Sequence, residues 1–396
     1  MQNDKLNILL LADVHWGAID PEEFDMELDS TFFGYISDLV QFGEQLDYII
    51  IAGDLFDTKE AFSSLVVKKV IAFIAKMLVL TEPCNTQIVI IEGTRTHDNL
   101  QLDNLSYIFN IIDDSHRVTI YNTVEEIELA DTGLTALLIP EEYVADQESY
   151  YKEYFKPECF YDLIIGHGMV DKVWYAKQEK ESVNDLTKHM SAPVFKVDDL
   201  LDHCTKCYFG HVHMNKAYGV GNRFTYIGPY TNWEFGKTTK VGFYHIQIDL
   251  KTSEVTDRFI ENTHAKNYPT VSMKIQENMS LTELNDRVDT LIASVYARTK
   301  NIGKIRLVVY LSQSIETWQT MKDFLIGKCG DMPNLKFILQ LEENDTDMDT
   351  DEVIEDISNK YLFDHSIDIT HRIQTFIKNK SGRDISIETI EKYINS

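Results

Sequence analysis

Up to about residue 250, short runs dense in Ile, Leu and Val alternate with longer segments whose apolar residues recur at three-and-four spacing. A short apolar run suits a strand covered on both faces, whereas three-and-four spacing builds a helix with one apolar stripe. The runs 6–12, 48–52, 88–91, 134–139, 163–165 and 207–209 therefore predict buried strands, and 24–42 and 62–80 predict helices. Such alternation makes a layered α/β domain. Runs 224–227 and 242–248 then follow closely and predict a second sheet packed on the first. The fold expected over 1–266 is α/β, with two packed mixed sheets flanked by helices. The two helices either cover their own sheet or pair across a dimer axis.

The pattern restarts at Asn267–Pro269, with strands over 270–275, 304–311 and 334–341 and helices over 281–298 and 316–329. This predicts a separate small α/β domain, 267–341. No Lys or Arg falls between Lys336 and Lys360, where acids crowd together, so 342–368 reads as a solvated acidic linker. Residues 369–396 offer two short amphipathic helices broken at Ser381 and Gly382.

Charge and cysteine usage narrow the class. Across 396 residues, 64 acids against 37 bases leave a formal charge of -27. That balance opposes long-range attraction to nucleic acid, whose affinity comes from Lys and Arg neutralising phosphates. Five scattered cysteines, Cys84, Cys159, Cys204, Cys207 and Cys329, point to reduced thiols. No apolar stretch approaches the ~20 residues that span a bilayer, and the first residues lack a signal-peptide pattern. A cytoplasmic protein with no membrane partner is expected.

The ends of the predicted strands carry the chemistry. They lead into Asp13-Val-His15, Gly53-Asp54-Leu-Phe-Asp57, the loop from Gly93 to Asp98, Gly166-His167-Gly168 and Gly210-His211-Val-His213. Ligands bind beyond the carboxyl ends of strands in open α/β sheets, and glycines there let backbones approach closely. Mixed carboxylate and imidazole ligands suit manganese, iron or zinc. Two metals sharing a carboxylate would activate water for attack on phosphorus near neutral pH. His116, His189, His203, His245 and His264 lack companions at ligand spacing.

These blocks, in this order over roughly the first 215 residues, resemble the calcineurin-like metallophosphoesterases. More narrowly, Asp13-Val-His15-Trp-Gly17, Gly53-Asp54-Leu-Phe-Asp57 and the passage from Tyr226-Ile-Gly-Pro to Lys240-Val-Gly-Phe243 resemble the SbcD branch. That branch is the nuclease subunit of a double-strand-break repair complex. The resemblance implies a metallophosphoesterase fold, then a capping domain, and C-terminal helices that dock on a coiled-coil, SMC-like ATPase. It implies a homodimer acting on DNA as a manganese-dependent exonuclease and endonuclease, and a short form of this kind is compatible with a phage recombination enzyme. Asp13, His15 and His213 would bind the first of two divalent metals, most simply manganese, and His167 and His211 the second, with Asp54 bridging. His97 would be the catalytic acid and Asp98 would orient its imidazole.

One block departs from the family. Where the family has Gly-Asn-His, this chain has Gly93-Thr-Arg-Thr96-His97, without the asparagine ligand. Thr96, a water or Asn99 would fill the open position at the second metal, and a weaker, more exchangeable second metal is expected. The same metal chemistry would serve a phosphatase or nucleotide phosphodiesterase, and a catalytically weak DNA-repair scaffold is the third alternative.

Overall fold

The computed structural model describes residues 4–342 apart from 99–100, 113–115, 145, 174–192, 238 and 314. The strands are, in chain order, Lys5–Leu11 (β1), Tyr48–Ala52 (β2), Gln87–Ile91 (β3), Val118–Tyr121 (β4), Glu125–Glu128 (β5), Thr135–Ile139 (β6) and Tyr161–His167 (β7). There follow Met169–Val170 (β8), Val194–Phe195 (β9), Cys204–Gly210 (β10), Lys216–Tyr218 (β11), Phe224–Tyr226 (β12), Gly242–Asp249 (β13), Val255–Glu261 (β14), Thr270–Lys274 (β15), Ile305–Ser312 (β16) and Leu335–Glu342 (β17).

Two six-stranded sheets dominate, in the orders β14-β13-β1-β2-β3-β4 and β11-β12-β10-β7-β6-β5. In the first, β1 to β4 are parallel, with β13 and β14 pairing antiparallel at one edge; in the second, β12, β10, β7 and β6 are parallel, with β11 and β5 antiparallel at the two edges. Parallel strands aligned in register bring their carboxyl ends to one side, which is why the ligand-bearing turns gather there. The expected second sheet exists, but β13 is not in it. Gly242–Asp249 pairs antiparallel with β1, because sheet membership follows backbone pairing rather than the apolar pattern.

Side chains alternate across each strand. Ile8, Leu10, Ile50 and Ile91 face Ala136, Leu138, Leu163 and Ile165 in the core between the sheets. Leu9, Leu11, Ile49 and Ile90 point the other way, onto helices α1 (Pro21–Leu28), α2 (Gly34–Gln41) and α3 (Leu65–Leu80), through Phe24, Ile36, Val70 and Phe73. The outer face of the second sheet packs Leu137, Ile164 and Phe209 against Val197 and Leu200. The architecture is thus mixed α/β, with packed mixed sheets flanked by helices.

The long helix expected over 24–42 is two α-helices joined by a π-helical stretch, Asp29–Phe33, whose Phe32 and Phe33 rings meet Phe73. Asp20 caps α1 by accepting from the backbone N–H of Glu22 and Glu23, and Ser64 caps α3 by accepting from Val67. The buried faces of these helices lie on their own sheet.

Strands β15 to β17 form a separate three-stranded sheet, with helices Leu281–Arg298 and Trp318–Cys329 between them. Their residues up to Leu311 and from Thr317 to Gln340 nevertheless belong to the same compact unit as the large sheets. The expected linker beyond residue 342 and the C-terminal helices lie outside the described residues. All five cysteines are free thiols, with Cys204 and Cys207 buried in β10. Among the described residues, no helix is long and apolar enough to cross a membrane.

Candidate metal centre

The turns after β1, β2 and β3 meet the turns after β6, β7 and β10 where the two sheets face each other. The seam is made of direct bonds. His167 Nδ1 lies 2.9 Å from the Ala52 carbonyl, and the His211 N–H donates to Asp13 Oδ1 at 2.7 Å. Glu141 N–H donates to the Glu92 carbonyl at 3.2 Å across the seam, while within the first sheet Asp13 N–H donates to the Gly53 carbonyl at 3.1 Å. Two glycines make this approach possible. A Cβ at Gly53, where φ is +80°, would lie 2.1 Å from His167 Nδ1, and one at Gly210 would lie 2.4 Å from the Ala52 carbonyl oxygen.

The backbone is strained where the candidate ligands sit. Asp13, His15, Asp54 and His211 have φ of 47°, 49°, 52° and 85°. Left-handed conformations in non-glycine residues cost free energy and persist where the surroundings over-determine them. Here they turn successive side chains inward from strand ends.

Asp13, His15, Asp54 and His213 form one group whose ligand atoms lie within 4.8 Å of one another, and Glu141, His167 and His211 form a second. Nε2 of His15 and Nε2 of His213 converge at 3.0 Å. Asp54 Oδ2 stands 3.7 Å from His15 Nε2 and 3.2 Å from His167 Nε2, so it touches both groups. Asp13 Oδ2 is buried without a hydrogen-bond partner. An orphaned buried carboxylate oxygen facing imidazole nitrogens is what a cation would satisfy. These buried groups could hold metal ions, and the mixed oxygen and nitrogen donors fit manganese, iron or zinc.

The charges are strongly coupled. Burial works against the Asp54 carboxylate, but the charge and hydrogen bond of His167 outweigh it and hold the group well below the ordinary range. Burial likewise disfavours a charged His167, yet Asp54, Asp13 and Glu141 raise it to about 10. Glu141 is pulled below its usual value by His211 despite burial.

All six expected ligands, Asp13, His15, Asp54, His167, His211 and His213, lie in these two groups. His97 lies beside them, its ring 4.8 Å from that of His15, with Nδ1 hydrogen-bonded to the Asp57 carbonyl. Asp98 does not play the expected part. Its carboxylate accepts backbone N–H bonds from Gly93 at 3.0 Å, Phe56 at 3.1 Å and Leu55 at 3.3 Å, tying the β3 turn to the β2 turn. Burial and the nearby Asp54 charge push its carboxyl up to about 7. Thr96 is exposed. The hydroxyl that reaches the cluster is that of Thr94, which follows Gly93 directly. It lies 3.2 Å from Glu141 Oε2, 3.4 Å from Asp54 Oδ2 and 3.5 Å from both His167 Nε2 and His211 Nδ1. Asn99 lies outside the described residues.

Sequence reasoning missed Glu141 and Glu234. Glu141 follows the apolar run of β6 but stands behind Pro140, so its nearness to a strand end is the signal that could have found it. Glu234 Oε1 lies 2.7 Å from His213 Nδ1, while Trp233 packs 4.6 Å from the His15 ring and 5.0 Å from the His213 ring. No strand end announces that loop. His15 Nδ1 sits 3.3 Å from Asp57 Oδ1 without hydrogen-bond geometry, and Asp57, His15 and His97 form a third group whose ligand atoms lie within 4.8 Å of one another.

No protein-family model matches the chain, and a search among curated proteins finds no match.

Proposed function

We propose that the chain is a phosphoesterase working with two divalent ions. The carrying observation is Asp54 Oδ2, placed between His15 and His167 and so touching both ligand groups. One shared carboxylate is what a pair of ions needs in order to act on one phosphoryl group. The facing mixed sheets and the ordered strand-end ligands support a fold of the calcineurin-like metallophosphoesterase kind. More particularly, the substrate is DNA. The reading is a manganese-dependent exonuclease and endonuclease similar to the SbcD nuclease subunit, acting as a homodimer with a coiled-coil ATPase. Its support is the sequence from Asp13 to Gly17, from Gly53 to Asp57 and from Tyr226 to Phe243.

Asp13, His15, Asp54 and His213 would hold one ion, and Asp54, His167 and His211 the other. Ions held there supply Lewis acidity toward the phosphoryl oxygen and the attacking water. The residues orient and move protons. His167 fixes its ring through Ala52, leaving Nε2 for the cluster. His213 is fixed in the same way by Glu234. His97 has Nδ1 engaged by the Asp57 carbonyl, so Nε2 is the nitrogen free to give a proton to the leaving oxygen. Trp233 walls one side of the His15 and His213 rings. With a charge of -27 the chain takes its DNA affinity from its partner, so DNA binding by the isolated chain is weak and falls with salt.

The test is manganese-dependent release of nucleotides from labelled duplex DNA, beside Asp54→Asn and a chromogenic phosphodiester. Degradation of DNA that Asp54→Asn abolishes is expected. Turnover of the small ester alone would replace the nuclease with a nucleotide phosphodiesterase. No turnover of either, with the ATPase partner present, would overturn the enzymatic reading in favour of a scaffold.

A further inference from the structure

We infer that Glu141 replaces the absent asparagine as the ligand completing the second ion's site, and that the altered loop Gly93-Thr94-Arg95-Thr96-His97 is the other half of that replacement. This rests on the two-ion reading.

Thr94 directly follows Gly93, as the asparagine follows the glycine in the Gly-Asn-His block of the enzymes this chain resembles. Its hydroxyl points into the second group, but a threonine oxygen sits one bond nearer its backbone than an amide oxygen does. Glu141 reaches the same place from the opposite sheet. Its Oε2 is 2.9 Å from His211 Nδ1, 3.2 Å from Thr94 Oγ1 and 3.7 Å from His167 Nε2. The residue is 4% exposed. A carboxylate so deeply buried requires charge and hydrogen-bond partners, and two imidazoles with a shared ion supply both.

The other oxygen is held in place. Glu141 Oε1 accepts from the Tyr143 hydroxyl at 2.6 Å, and the Tyr143 ring carries the Arg95 guanidinium 4.6 Å from its centroid. Arg95 belongs to the altered loop. The loop therefore gives Thr94 to the site and Arg95 to the tyrosine that fixes Glu141, and the two departures act as one unit. Exchanging a neutral amide for a carboxylate adds one negative charge at the second ion. The donor at that position stays an oxygen, now an anionic one, which suits a hard divalent ion such as manganese. The second ion is thus held more tightly than loss of a ligand would imply.

The experiment counts and weighs Mn2+ on the metal-free full chain by calorimetry, with electron paramagnetic resonance reading the exchange-coupled pair. Wild type binds two ions. Glu141→Gln, nearly isosteric, loses about tenfold or more in affinity for one of them, since even outer-shell partners are worth about 10–100-fold, and the coupled signal fades while the other ion stays. Thr94→Asn combined with Glu141→Ala restores the second ion. Two undiminished ions in Glu141→Gln, in protein whose circular dichroism matches wild type, would overturn the role of Glu141 and leave the two-ion reading standing. A wild-type chain binding one ion or none would instead overturn the two-ion reading itself.

Discussion

Nδ1 of His213 lies 2.7 Å from the Glu234 carboxylate, which leaves Nε2 of the same ring facing His15 Nε2 at 3.0 Å. The hydrogen bond from His213 is the main cause that holds the Glu234 carboxyl down at about 2. A carboxylate behind a ligating imidazole fixes its tautomer and raises its basicity. Glu234→Gln is therefore expected to lower affinity for the ion of the first group by about 10–100-fold. Calorimetry with Mn2+ checks this, and unchanged affinity would show that the pair is only a surface contact.

Asp98 predicts an effect on stability. Asp98→Ala strands three backbone N–H donors, at Leu55, Phe56 and Gly93. Each buried donor left without a partner costs about 1–3 kcal/mol, so urea unfolding should show a loss of several kcal/mol. His97→Ala should leave the unfolding midpoint nearly unchanged while removing turnover. The opposite ranking would return Asp98 to the role of imidazole orienter.

The metal-free chain carries its own pH signature. His167 is raised to about 10, above its ordinary value of 6.5, against the effect of burial. A group whose folded pKa is raised contributes stability fully present below about pH 6.5 and lost as pH climbs through about 10. Melting temperature in chelator should fall over that window. A protonated ring cannot ligate, so Mn2+ should bind more tightly over the same rise and displace about one proton per ion at the second group. Calorimetry in buffers of different ionisation enthalpy reads that proton, and its absence would separate His167 from the ion.

Gly53→Ala and Gly133→Ala form a matched pair. Both glycines have positive φ, +80° and +76°, but a Cβ at Gly133 meets nothing within 4 Å, whereas one at Gly53 lies 2.1 Å from His167 Nδ1. Gly133→Ala should cost only the ~1–2 kcal/mol of left-handed backbone. Gly53→Ala should cost clearly more and weaken ion binding. Equal losses in thermal melts would mean that the seam between the sheets yields easily.

Much of this architecture was legible because parallel strands buried on both faces must be written as unbroken apolar runs, as Tyr48–Ala52 is. The same runs announced the six candidate ligands that follow them. What was not legible depends on pairing across sequence distance. Gly242–Asp249 has the pattern of a second-sheet strand, and only its hydrogen bonds to β1 place it in the first. Glu141 was hidden by the proline between it and its strand. The choice of Thr94 over Thr96, and of backbone over imidazole as the partner of Asp98, is made by the path of a five-residue loop that no periodicity describes.

Asp13, His15 and Asp54 arrive on one sheet, while Glu141, His167, His211 and His213 arrive on the other. The first group is completed only by His213 from the second sheet, and the second group meets the first sheet through Asp54. A folding intermediate with both sheets formed but not yet pressed together would have nearly all its secondary structure but two separate half-sites, with no carboxylate shared between them. On the two-ion proposal, paired binding would therefore report tertiary closure: it would require that two separately paired surfaces have met in register.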